Sequence, residues 1–154
     1  MMPGSVFQDP QDLFTHDHFH LKDLFAEYES LGPNEREMKA RMIRRIEDEL
    51  RLHFRIEERL LYPSLLAVKS KAVEELVRTA RNEHKEILAA CRQVAQADEK
   101  DQATLMKALF KQVGLYVDFE EKRLLPWTRS LPGVTLREMT LEIEEMKGTR
   151  ARAH

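Results

Sequence analysis

The stretch His53-Phe54-Arg55-Ile56-Glu57-Glu58-Arg59-Leu60-Leu61-Tyr62-Pro63 decides how this chain is read. On a helix, His53 and Glu57 stand one turn apart on one face. That face also carries Ile46, Leu50 and Leu61, so two polar side chains point where apolar ones belong. An imidazole buried beside a carboxylate is costly unless something charged or hydrogen-bonding satisfies both. A metal ion does this, because neutral imidazole and carboxylate are both good ligands for iron or zinc.

A second copy lies downstream, Tyr116-Val117-Asp118-Phe119-Glu120-Glu121-Lys122-Arg123-Leu124-Leu125-Pro126. His53 and Tyr116, Glu57 and Glu120, and Pro63 and Pro126 are each 63 positions apart. Such self-similarity points to two helix-pair halves that face each other. The copies differ at their first position, where the second has Tyr116 instead of a histidine.

Working outward, Asp9-Pro10 is a helix start, with Asp9 as N-cap and Pro10 in the first turn. This first helix runs to about Ser30 with Phe14, His18, Leu21, Phe25 and Tyr28 inward, and Gly32-Pro33-Asn34 breaks it. The second helix runs to the Pro63 region with Met42, Ile43, Ile46, Leu50, His53, Glu57 and Leu61 inward. Pro63 has no N–H and is expected to bend or end it. Ser70 caps a third helix with Val73, Val77, His84, Leu88 and Cys91 inward. After a polar turn at Asp98–Asp101, a fourth carries Leu105, Leu109, Val113, Tyr116, Glu120 and Leu124 inward. Leu131-Pro132-Gly133 is another break. A shorter helix from about Thr135 to Lys147, with Leu136, Met139, Ile143 and Met146 on one face, is expected to pack outside. Residues 1–8 and the tail to His154 read as flexible. The expectation is an all-α fold, an up-down-up-down four-helix bundle over 9–130, with a C-terminal helix and tail over 131–154.

Each inward stripe thus carries polar residues near mid-height: His18, His53 with Glu57, His84, and Tyr116 with Glu120. Counting about 1.5 Å per residue puts His53, His84 and Tyr116 at nearly one level. His18 falls short by roughly 10 Å unless the second helix starts later, at Arg36–Lys39. A hydrogen-bonded polar layer without metal is the rival reading. It leaves two carboxylates in one buried layer, where their charges repel without a cation between them. His16 and His20 lie on other faces than His18 and read as partly exposed. Glu58 and Glu121 read as solvated or paired with a basic residue one turn away; contact with a ligand histidine is the alternative. Cys91 reads as a small core hydrophobe.

Composition bounds the rest. At 154 residues the chain holds one domain with a real core, and 34% charged with 42% hydrophobic residues and few Gly fits a helical protein. A net charge of −2 offers nothing to nucleic acid or an anionic membrane, and no apolar run reaches membrane-span length. A secretory signal is not visible, and a single cysteine fits a reducing compartment, so the expected location is cytoplasmic. No Gly-rich phosphate loop or nucleophile–base pairing of convincing spacing is present.

Asp17-His18 with Leu21, Leu24 and Phe25, His53-x-x-x-Glu57-Glu58 with Tyr62-Pro63, Glu83-His84, and x-x-x-Glu120-Glu121 with Pro126 together resemble the hemerythrin-like HHE cation-binding domain. The resemblance covers roughly residues 10–130. It implies a four-helix bundle with a non-haem di-iron centre that binds or senses a small oxidant: dioxygen, nitric oxide or peroxide. His18, His53 and His84 would be terminal ligands, with Glu57 and Glu120 between the irons. Tyr116 stands where the family usually has a histidine, and Leu88 where oxygen carriers place another. Tyr116 is read as a phenolate ligand favouring ferric iron, or as a hydrogen-bond donor to a bridging glutamate. A di-iron enzyme that reduces peroxide or oxidises iron, a zinc site, and a metal-free interaction module remain alternatives.

Overall fold

The computed structural model describes residues 9–153, with side chains to residue 148; the expected N-terminal tail and His154 lie outside it. Six α-helices follow in order: α1 Pro10–Ser30, α2 Arg36–Ile56, α3 Tyr62–Leu66, α4 Lys71–Gln96, α5 Glu99–Phe119 and α6 Gly133–Ala153. Among the described residues there is no strand. The local signals act as expected. The Asp9 carboxylate accepts from Asp12 N–H at 2.9 Å and starts α1, and the Ser70 hydroxyl accepts from Val73 N–H to start α4.

Helix α1 packs on α2, α2 on α4, α4 on α5, and α5 back on α1. With short connections this is an antiparallel four-helix bundle. Its core runs from Phe25, Ile46, Leu50 and Val94 to Ile56, Leu61, Leu65 and Leu124, all at most 1% exposed. Two inward positions differ from expectation. Ile87 is fully buried where Leu88 was expected, and Met106 is buried where Leu105 was. Each is one residue out of phase, and the neighbouring leucine remains partly buried against the same core.

Pro63 is expected to bend or end the helix, with Ser64 to Val68 continuing it briefly, and the chain does continue past it. Helix α2 does not end at Pro63. It passes into a π turn, Glu57–Leu61, in which Tyr62 N–H reaches back five residues to Glu57 C=O, and continues as α3. The second copy does the same: α5 enters a π turn at Glu120–Leu124, with Leu125 N–H on Glu120 C=O, then a 3₁₀ segment Leu125–Ser130. In a regular helix a proline ring clashes with the carbonyl four residues back. In both copies that carbonyl belongs to the π turn, whose wider spacing makes room. The internal repeat is therefore structural, and each wide turn opens on an inward glutamate.

Helix α2 starts at Arg36, which removes about 3 Å of the height mismatch of His18. Neighbouring helix ends need not be level, and the His18 and His53 rings close to 5.1 Å between centroids. Helix α6 is longer than expected at both ends. It buries Met139 and Ile143 and packs on α1, α2 and the first π turn.

Candidate metal centre

All six residues singled out by the sequence meet at one level of the bundle, and none is more than 2% exposed. The glutamate of each copy faces the histidine of the other half. His18 Nε2 lies 2.8 Å from Glu120 Oε1, and His84 Nε2 lies 3.0 Å from Glu57 Oε1. The outer ring nitrogens follow the same rule: His18 Nδ1 meets Glu121 Oε2 at 2.6 Å, and His84 Nδ1 meets Glu58 Oε2 at 2.8 Å. Glu58 and Glu121 are thus not simply solvated, as expected; they hold the ligand-type histidines from outside, which fixes ring orientation.

The symmetry breaks at the first position of the repeat. His53 points Nδ1 at Asp17 Oδ2, 3.2 Å away, and Nε2 into the interior, 3.4 Å from Glu120 Oε1 and 3.5 Å from Glu57 Oε1. Opposite it, the Tyr116 hydroxyl lies 2.8 Å from Glu57 Oε1, 2.5 Å from Glu120 Oε2 and 2.8 Å from His84 Nε2. Tyr116 has one proton to give and two carboxylates to receive it. Among the described residues two buried side-chain atoms have no hydrogen-bond partner, His53 Nε2 and Glu57 Oε2. Buried polar groups are normally satisfied, so orphans aimed at a shared interior point to a missing ligand. One donor atom each from His18, His53 and Glu120 lies within 4.8 Å of the others. Two imidazoles and a carboxylate suit a transition-metal ion.

Comparison with known proteins agrees. The Hemerythrin HHE cation binding domain model matches residues 9–128. The chain belongs to the hemerythrin HHE cation-binding family. Among solved structures, this HHE domain is similar to a Hemerythrin HHE cation binding domain-containing protein from Mycobacterium kansasii. The identity is 21%, the TM-score 0.75, and the match covers 92% of this chain and 88% of the other. At that identity the likeness speaks for the fold. No curated protein matches.

The electrostatics of this HHE domain divide along the broken symmetry. Burial alone would lower the His53 imidazole, but the hydrogen bond to Asp17 and the negative charge of the nearby Glu120 and Asp17 outweigh it and push it up to about 9. Burial would raise Asp17, yet His53 and Lys147 hold its carboxyl down to about 2. Glu120 is likewise lowered, against its burial, by His18 and His53. On the other side burial lowers His84 to about 4 despite Glu58. Burial also pushes the Tyr116 phenol well above its ordinary value, with Tyr62 and nearby carboxylates adding to it. Without metal, a proton on His53 therefore takes the cation's place in one half, while the other half stays neutral at His84 and Tyr116.

The contacts of three residues lay beyond the sequence reading. Tyr62 places its hydroxyl 3.0 Å from His84 Nε2 and 3.1 Å from Tyr116 OH. In a regular helix Tyr62 stands roughly 140° around from Glu57; the π turn brings it onto the site. Asp17 directly precedes His18, and the turn of one residue on α1 aims it at His53 instead. Lys147 reaches Asp17 Oδ1 at 2.5 Å from α6, 130 positions away. His16 is exposed and His20 half-buried. Cys91 is buried, with its thiol pushed up to about 12, so it packs as an unreactive hydrophobe.

Proposed function

We propose that this HHE domain is a non-haem di-iron protein that binds or senses a small oxidant such as dioxygen, nitric oxide or peroxide. The observation that carries the reading is the pair of orphaned buried atoms, His53 Nε2 and Glu57 Oε2, inside a closed layer of imidazoles and carboxylates. His18, His53 and Glu120 would hold one ion; His84, Glu57 and Tyr116 would hold the other. When bound, iron supplies redox chemistry and coordination positions for the oxidant. The chain's own residues do the rest. Phe54 stacks on His84 at 3.9 Å between centroids and Phe14 meets the His53 ring edge-on, so both rings are fixed and water is kept out. The carboxylates of Asp17, Glu58 and Glu121 hold Nδ1–H of the three histidines, leaving Nε2 to face inward.

Protein purified without added metal and then reconstituted anaerobically tests this. Two irons per chain, lost in His53→Ala and His84→Ala, are expected. A chain that binds no iron, and whose stability ignores chelator, rejects it. Tyr116 is assigned by spectrum: a ferric-phenolate band that vanishes in Tyr116→Phe makes it a ligand, and its absence leaves it a donor to Glu57 and Glu120. Peroxide turnover by the loaded protein would make it an enzyme.

A second reading is favoured by the compact His18–His53–Glu120 cluster. Two histidines and a glutamate are also a set that tetrahedral zinc accepts with one position open. Anomalous scattering at the iron and zinc edges separates the two.

A further inference from the structure

The three histidines are not held alike. His18 and His84 rest Nδ1 on Glu121 and Glu58, each adjacent in sequence to an inward glutamate. His53 rests on Asp17, and Asp17 rests on Lys147. Both carboxylate oxygens of Asp17 are thereby committed, Oδ2 to His53 and Oδ1 to the ammonium. Lys147 belongs to α6, beyond the matched family region of 9–128.

The reach of Lys147 follows from the helix. Met139 and Ile143 are 4% and 1% exposed and dock α6 on the bundle. Lys147 stands one turn after Ile143 on the same face, so docking delivers its ammonium to the level of Asp17. The Lys147 and Asp17 side chains are 29% and 18% exposed, which places the pair under partial cover where salt screens it less than a surface pair.

We propose that Lys147 is a positioning residue for the metal centre, acting through Asp17 on His53, so that the C-terminal helix is a working part of the site. Lys147 fixes the plane of the Asp17 carboxylate. That carboxylate fixes the His53 ring, with Nδ1–H outward and Nε2 toward Glu120 and Glu57. Without the ammonium, Asp17 has a half-buried position from which to turn to solvent, and the His53 ring loses its outer anchor. The inference rests on the metal reading, and its test has one arm that does not.

In the metal-free protein, the imidazole N–H signals of His53, His18 and His84 are followed by nitrogen-edited proton NMR. Lys147→Met is expected to shift the His53 Nδ1–H signal and speed its exchange, leaving those of His18 and His84 in place. Lys147→Arg is expected to restore it. In the second arm Co(II) and anaerobic Fe(II) are titrated in. Groups that orient a ligand are worth on the order of 10–100-fold in affinity. Lys147→Met, one contact further out, is expected to weaken one binding step by about tenfold and spare the other. In an Asp17→Asn background the Lys147→Met change is expected to do nothing more. An unshifted His53 signal overturns the proposal. So does an equal loss at both steps, or a full Lys147→Met effect without Asp17, which would mean that α6 only braces the fold. If the wild-type chain binds neither metal, the metal reading fails, and the NMR arm still decides whether Lys147 positions His53.

Discussion

Glu57 is fully buried, accepts from Tyr116 through one oxygen and has no partner for the other. A buried charge without compensation costs stability, and a neutral group of the same shape costs less. Glu57→Gln is therefore expected to leave the chelated protein at least as stable as wild type while abolishing most of the stabilisation that metal adds; paired melts with and without chelator read this directly. Tyr116→Phe works in the opposite sense. It strips a donor from two buried carboxylates, and an unsatisfied buried polar group costs about 1–3 kcal/mol, to be seen as a lower urea midpoint of the metal-free form. The pH dependence of that form follows from His53 and His84. The stability that a raised His53 contributes is complete below its unfolded value of 6.5 and is lost as pH rises through about 9. His84 is lowered, so the unfolded chain takes the proton first, and stability is lost as pH falls from 6.5 through about 4. Denaturant stability of the chelated protein should peak near pH 6–7, close to that shared value of 6.5. Metal, which replaces the His53 proton, should remove the alkaline decline.

At the scale of elements, the π turns mark the boundary of what the sequence disclosed. The stripes on α1, α2, α4 and α5 obey the helical period, so His18, His53, Glu57, His84, Tyr116 and Glu120 could be read from spacing alone. Tyr62 could not, because a constant period rotates it away from Glu57 and only the wide turn after Ile56 returns it. Pro63 and Pro126 were the visible trace of that turn, but they read only as places where a helix bends or ends. The contact between Asp17 and Lys147 was illegible for another reason: nothing local encodes which face of α1 a helix 130 positions away will cover. A π turn is one residue more than a regular helix accommodates. Deleting the exposed Arg59 should convert Glu57–Leu61 to regular helix with Tyr62 four positions after Glu57, roughly 40° around, so that it still faces His84. The expected result is a folded chain that keeps the Tyr62–His84 contact without the wide turn, checked by urea unfolding and by the His84 ring signals.

For the whole molecule, bundle and centre are one construction, since each helix of the ring brings a side chain that only the folded state assembles. Ligands bound by the native state alone stabilise it by about 2.7 kcal/mol at a hundredfold excess over Kd. For a chain of this size that is roughly 5–11 °C in melting temperature; a melt unmoved by chelator would contradict it. One feature sets how such a centre fills. His18 and His84 mirror each other across the bundle, as do Glu120 and Glu57, but His53 is answered by Tyr116. A cradle that repeats itself treats two identical guests alike, and one miscopied letter is enough to rank them. The imidazole-rich berth should be occupied first and the phenol-lined berth only at higher concentration, so the loading curve should climb in two separate steps. Restoring the missing rhyme with Tyr116→His should fuse those steps into one.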